Sequence, residues 1–194
     1  MGTLEEGHRM FEAAATADDR RRYRELADRH RPAAVLIGCS DARVVPEVIT
    51  CARPGELFVI RTAGNIVPPP GSVDAVAASI EYAVEVLDVR EVVVCGHSGC
   101  GAMTSLALGH DLSALPAVSG WLATAGHDPD ELAGGSDEEI VAAAVRANVR
   151  RQVETLAAYP SVRTRLRSGE LTLAGWVHDI GSGALEVVRP TVAR

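Results

Sequence analysis

Two apolar runs, 32–39 and 91–96, each end at a turn loaded with metal-binding side chains, and no other feature restricts the fold as much. Pro32 to Cys39 and Glu91 to Gly96 are uncharged in their interiors and rich in β-branched residues, the pattern of strands buried in a parallel sheet. The first run leads into Cys39-Ser40-Asp41-Ala42-Arg43, the second into His97-Ser98-Gly99-Cys100. Parallel strands bring their carboxyl ends together, and open α/β sheets form their ligand crevices at that edge. Cys39, His97 and Cys100 are then three candidate metal ligands, the number a catalytic zinc takes while keeping a fourth position open. Asp41 and Arg43 stand where they can manage whatever occupies that position.

The segments between and around these runs alternate in type. Two helix-like stretches fill 4–30, with Leu4, His8, Met10 and Phe11 on one and Tyr23, Leu26 and Ala27 on the other. Then come a strand (33–38), a short helix (45–51), a strand (57–61), a loop with Pro68-Pro69-Pro70, a helix (72–87), a strand (91–95) and a helix (100–108). Residues 109–135 form a Gly-, Asp- and Pro-punctuated excursion with a short helix near 118–124. Ser136 caps a long helix whose apolar stripe runs from Ile140 through Val153 toward Tyr159, where Pro160 breaks it. A short helical piece follows, then strands at 171–177 and 184–188 paired as a hairpin across Asp179-Ile180-Gly181-Ser182-Gly183. The expected fold is α/β: a mostly parallel central sheet flanked by helices, with a C-terminal antiparallel edge hairpin and an N-terminal helical arm.

With 194 residues, 47% of them hydrophobic, the chain is sized for one domain: an arm (1–30), a metal-site core (33–108) and a helical excursion, long helix and edge strands (109–194). A net charge of -7 repels nucleic acid and anionic membranes at long range, so neither is an expected partner. Arg20-Arg21-Arg22 and Arg150-Arg151 sit among acids in amphipathic patterns and read as solvated helix faces. The first residues show no basic-then-apolar signal, and Glu6 occupies the place where a myristoylation signal wants Ser or Thr, so the expected location is the cytoplasm. Thiols stay reduced there, which favours metal binding over disulfides. The glycines beside Cys100 open a helix, whose N–H groups are expected to lower that thiol's pKa. Cys51 and Cys95 read as packing thiols, and His8, His110, His127 and His178 as surface or structural residues.

Taken together, Cys-x-Asp-x-Arg at 39–43, His-x-x-Cys at 97–100, the stretch Pro54 to Arg61 and Ile80-Glu81-Tyr82-Ala83-Val84 resemble the β-class carbonic anhydrases. The likeness runs from about Ala34 to Leu108 and returns at Gly175-Trp176 and the hairpin. It implies a zinc lyase in which Cys39, His97 and Cys100 bind Zn²⁺, Asp41 and Arg43 form a catalytic dyad, and zinc-bound hydroxide attacks CO₂ to give bicarbonate and a proton. Two thiolates neutralise Zn²⁺, so a water there is less acidified than beside three imidazoles, and turnover is expected to rise toward alkaline pH.

The resemblance also assigns Phe58, Ala63 and Tyr82 to the CO₂ pocket of the plant-type branch, partly across a dimer boundary, whereas periodicity alone makes Phe58 and Tyr82 core residues. Two positions depart from the family pattern. His30 stands where that branch has Gln and serves either as a pocket hydrogen-bonding group or as ordinary helix-end chemistry. Leu36 replaces the Trp of the bicarbonate-regulated branch, so no bicarbonate-linked cooperativity is expected. Alternative readings keep the zinc but hydrolyse carbonyl sulfide or carbon disulfide, or bind zinc or bicarbonate without catalysis. The family assembles as dimers or multiples of them, so a homodimer or dimer of dimers is expected.

Overall fold

A computed structural model describes residues 2–127 and 134–189, in two compact units, one reaching to Arg31 and the other beginning at Pro32. The larger unit is built on a five-stranded sheet in the order β2-β1-β3-β4-β5. Its strands are β1 (Ala34–Cys39), β2 (Leu57–Thr62), β3 (Glu91–His97), β4 (Thr172–His178) and β5 (Leu185–Val188). The first four are parallel and β5 is antiparallel to β4, the arrangement expected from the sequence. Because β1 lies between β2 and β3, the chain crosses over it, and the carboxyl ends of β1 and β3 become neighbours: Gly38 pairs with Cys95, one residue before Cys39 and two before His97.

The helices follow from local chemistry. Asp74 caps α4 (Ala75–Glu81) by accepting the N–H groups of Val76 and Ala77, which starts the helix three residues later than the periodicity suggests. α4 runs into a π turn at Tyr82–Val86. After α5 (Gly101–Ala107) and α6 (Pro116–Ala123), Ser136 and Glu139 form a reciprocal cap on α7 (Asp137–Ala158). Tyr159 leaves the helical region and Pro160 begins α8 (Pro160–Ser168), so the expected break falls where the proline removes a donor. Of the expected 109–135 excursion, residues 128–133 lie outside the described residues.

α7 lies directly on the sheet. A Cβ on Gly96 of β3 would meet Val149 Cγ2 at 2.6 Å, and one on Gly175 of β4 would meet Val149 Cγ1 at 2.9 Å, so both strands need glycine for the helix to settle. Val145, Val149, Val153 and Leu156 are buried there with Val92 and Val94 from the strands. α7 also presents two buried amides. Asn148 Nδ2 donates to Gly64 O at 2.9 Å, and Gln152 donates to Asn148 Oδ1 at 2.9 Å while accepting Val67 N–H at 3.0 Å. These fasten the segment that follows β2, and Trp121 Nε1 adds a bond to Ala63 O at 2.9 Å.

In the smaller unit, α1 (Leu4–Ala14) and α2 (Ala17–Ala27) carry capping boxes at Thr3/Glu6 and Thr16/Asp19. Phe11 meets Tyr23 edge-to-face with centroids 5.8 Å apart, and Arg21 pairs with Asp18, as a solvated basic face should. Among the described residues no helix is long and apolar enough to cross a membrane.

One expectation fails at the end of α3 (Pro46–Ile49). The helix is shorter than 45–51, and Cys51 is an exposed residue with φ 54° rather than a packing thiol. The turn places a left-handed residue there, beyond the end of the helix, and its side chain is left exposed. Cys95, in the middle of β3, is fully buried as expected.

Candidate metal centre

Cys39 is the last residue of β1, His97 the last of β3, and Cys100 the N-cap residue of α5. Their relative exposures are 7%, 0% and 1%, and their ligand atoms all lie within 4.8 Å of one another. The two Sγ atoms are 4.0 Å apart. A disulfide would need about 2.05 Å, whereas two thiolates at about 2.3 Å on a tetrahedral zinc stand about 3.8 Å apart. His97 supplies an independent test. Its Nδ1 lies 3.0 Å from Ser98 O, and a carbonyl only accepts, so Nδ1 holds the proton and Nε2 the lone pair. Nε2 is buried and finds no hydrogen-bond partner among the described residues. A buried nitrogen left unsatisfied costs about 1–3 kcal/mol, and a zinc between the three side chains would remove that cost. The donor set therefore fits the metal.

The two thiols differ sharply in acidity. The Cys39 thiol is held well below its ordinary value, first by a hydrogen bond from Cys100 and then by the N–H groups of Asp41 and Gly64. Cys100 is pushed up, chiefly by that same bond and by burial. The N–H groups of Ala102 and Met103 do act to lower it, as the helix-start argument requires, but the second thiolate beside a first outweighs them. The expected lowering at Cys100 thus appears at Cys39 instead.

Asp41 and Arg43 meet as a fork. Arg43 Nε reaches Asp41 Oδ1 at 3.0 Å, Nη2 reaches Oδ2 at 2.7 Å, and the Arg43 N–H adds 2.9 Å to Oδ1. These bonds hold the Asp41 carboxyl well below the usual carboxylate range, so it is ionised at any physiological pH. Asp41 Oδ2 lies 3.8 Å from His97 Nε2, beside the three ligand atoms. Arg43 also donates to Gly99 O at 3.3 Å, tying the two ligand loops together.

Arg61 was missed as a site residue. From β2 it donates to Cys39 O at 3.0 Å, to Asp41 O at 2.6 Å and to Val44 O at 2.8 Å, clamping the loop that carries both a ligand and the carboxylate. The sequence signal is a single arginine in the otherwise uncharged strand Leu57-Phe58-Val59-Ile60-Arg61-Thr62.

Within the larger unit, the expected pocket residues Ala63, Phe58 and Tyr82 do not gather at one place. Ala63 follows Thr62, the residue in register with Cys39, and is exposed at the metal end of the sheet. Phe58 pairs with Val35, four residues back, about 13 Å along the strand. It lies against Tyr82 with ring centroids 6.3 Å apart, and Tyr82 is 44% exposed. His30 belongs to the smaller unit.

Comparison with known proteins agrees with this geometry. Residues 34–185 match the family model described as carbonic anhydrase. A carbonic anhydrase of Pseudomonas aeruginosa is 49% identical over 172 residues, covering 86% of this chain and 77% of that protein. Among solved structures, the β-carbonic anhydrase CcaA superposes with a TM-score of 0.86 at 34% identity, covering 97% of this chain and 91% of the other. A tetrameric β-carbonic anhydrase of Sordaria macrospora gives a TM-score of 0.87 at 28% identity, covering 98% and 97%.

Proposed function

The chain belongs to the β-class carbonic anhydrases, and from that premise we propose that Asp41 and Arg43 act as its catalytic dyad beside the metal ligands. It is a zinc enzyme that reversibly hydrates CO₂ to bicarbonate and a proton. Cys39, His97 and Cys100 hold the Zn²⁺, and the observation that carries the reading is their convergence around the unpartnered Nε2 of His97. When bound, the metal acidifies water and so supplies a nucleophile near neutral pH.

Every other part of the reaction falls to the chain's own residues. Asp41, ionised and held by two Arg43 nitrogens, has no proton to give, so it accepts a hydrogen bond from the attacking water and aims its remaining lone pair at CO₂. Arg43 keeps the carboxylate turned toward that task, and its bond to Gly99 O keeps the two loops in register. Bicarbonate then leaves, and a proton passes to buffer.

The CO₂ pocket is proposed to include Ala63, together with Phe58 and Tyr82 supplied by a second copy of the chain, because their own metal site is too far along the strand. His30 is a further proposed pocket residue. A homodimer, or a dimer of dimers, is supported by the exposed Leu4, Met10 and Phe11 of α1 and by the tetrameric relative. Four free thiols support a reducing compartment, for which the cytoplasm is the proposal. Leu36, 1% exposed, supports the absence of bicarbonate-linked cooperativity.

Stopped-flow CO₂ hydration on protein of measured zinc content, with Asp41→Ala as control and carbonyl sulfide assayed in parallel, tests the reading. Fast hydration that Asp41→Ala cuts severely supports it, with the rate rising toward alkaline pH. Full activity in Asp41→Ala, or carbonyl sulfide as the faster substrate, overturns it.

A further inference from the structure

The turn between β4 and β5 touches none of the reacting groups, yet its hydrogen bonds converge on one ligand. Ser98, the residue after His97, has every polar group engaged. Its N–H donates to His178 O at 2.9 Å, continuing the β3–β4 ladder past the ligand. Its Oγ accepts Ile180 N–H at 2.9 Å. Its carbonyl accepts His97 Nδ1–H at 3.0 Å. The bond from Ile180 ties Ser98 to the turn that Asp179 organises.

Asp179 is in turn the hub of the turn. Its Oδ1 accepts Ser182 N–H at 2.7 Å and Ser182 Oγ–H at 2.6 Å, and its backbone bonds Ala184 O and Gly183 N–H, each at 2.8 Å. The carboxylate thus fixes the turn, the turn fixes Ser98 through Ile180 and His178, and the Ser98 carbonyl fixes the tautomer and the plane of the imidazole. Metal-bound imidazoles elsewhere are oriented by an acceptor on the second ring nitrogen, and that acceptor sets affinity.

We infer that Asp179 and Ser98 are positioning residues for the metal ligand His97, with the β4–β5 turn as the outer support that sets zinc affinity. The inference rests on the zinc reading of Cys39, His97 and Cys100. It assigns an effect on the metal to Asp179, 82 positions away in sequence from the ligand His97.

The test is zinc affinity of the full-length protein, by competition with a chromophoric chelator, together with the thiolate charge-transfer and ligand-field spectrum of the Co²⁺ form. Asp179→Ala is the informative variant. It removes Oδ1, the acceptor of both Ser182 bonds, and so releases the turn that presents Ile180 N–H to Ser98 Oγ. Ser98→Ala removes the hydroxyl from the other side. Each is expected to weaken zinc binding about ten- to hundredfold and to shift the Co²⁺ spectrum, with the double variant little worse than either alone because both act through one chain of bonds.

Glu186→Gln loosens β5 by removing its ion pair with Arg146 and leaves the Ser98 bonds intact, so it is expected to bind zinc like the wild type. Wild-type affinity in both Asp179→Ala and Ser98→Ala, or an equal loss in Glu186→Gln, overturns the inference while leaving the zinc site standing. A wild-type protein that takes up no zinc overturns the metal reading itself.

Discussion

The two ligand-bearing loops are fastened by different means. The 39–44 loop depends on arginine side chains: Arg61 binds three of its carbonyls, and Arg43 binds the Asp41 carboxylate and reaches across to Gly99. The 97–100 loop depends mostly on main chain: Ser98 N–H extends the sheet ladder to His178 O, and the turn at 178–182 adds its bonds from there. A guanidinium concentrates several bonds in one replaceable group, while a ladder spreads them over atoms that no substitution removes. The first loop should therefore be the fragile one with respect to catalysis, and the second should fail chiefly through the metal.

The largest expected effect is on the second loop. His97→Ala removes the ligand itself and should lower zinc affinity by more than about a hundredfold, beyond the loss from any outer support, with hydration activity falling in proportion to bound zinc. Chelator competition and stopped-flow assay on one preparation check both. Zinc retained at wild-type affinity would mean the three side chains do not share an ion.

Arg43→Ala breaks the first loop at the dyad. Hydration should drop about 10²- to 10⁴-fold with zinc content unchanged, the reverse of the pattern at His97. The pH profile sharpens the contrast. In the wild type the Asp41 pKa is depressed, so the carboxylate remains ionised as pH falls and is lost only far into the acid range. Without Arg43 the carboxyl returns toward about 3.9, and residual activity should decline below about pH 5 in zinc-loaded protein kept intact by a short acid exposure. Identical acid limbs for the two proteins would remove Arg43 from this role.

Arg61→Met keeps the aliphatic stem and loses all three carbonyl bonds. The expected result is a kcat about ten- to a hundredfold lower with KM little changed, and a stability loss of about 2 kcal/mol by urea denaturation, with Arg61→Lys recovering part of the rate. A wild-type kcat in Arg61→Met would show that the loop holds itself.

This clamp also shows where sequence reading runs out. The strands were legible because their apolar runs have one meaning in a chain of this size, and Cys39, Asp41, Arg43, His97 and Cys100 were legible because reactive side chains cluster at the strand ends. Arg61 and Ser98 act on backbone carbonyls and N–H groups, which every residue carries, so no residue type marks their partners. The buried amides Asn148 and Gln152 escaped for a related reason: they interrupt the apolar stripe of α7 to satisfy carbonyl and N–H groups of Gly64 and Val67, more than 80 positions away. The start of α4 turned on a cap at Asp74, and the end of α3 on the single backbone angle at Cys51.

The smallest expected effect lies just beyond the first loop, where the sequence expected two equivalent thiols and the structure separates them. Cys51 is exposed with φ 54°, and Cys95 is buried with its pKa pushed up to about 11 by that burial. A neutral-pH alkylating agent acts on the thiolate, so in the zinc-loaded protein it should modify Cys51 and leave Cys95 untouched, as peptide mass mapping reads directly. Activity should be unchanged, since Cys51 takes no part in the fork or the clamp. Cys51→Gly should leave the rate alone and raise stability by up to about 1 kcal/mol, because glycine enters the left-handed region without the steric cost a side chain meets there. A destabilised Cys51→Gly would mean that the thiol makes contacts worth more than the strain it relieves, and the first loop would then extend past Val44 to the end of α3.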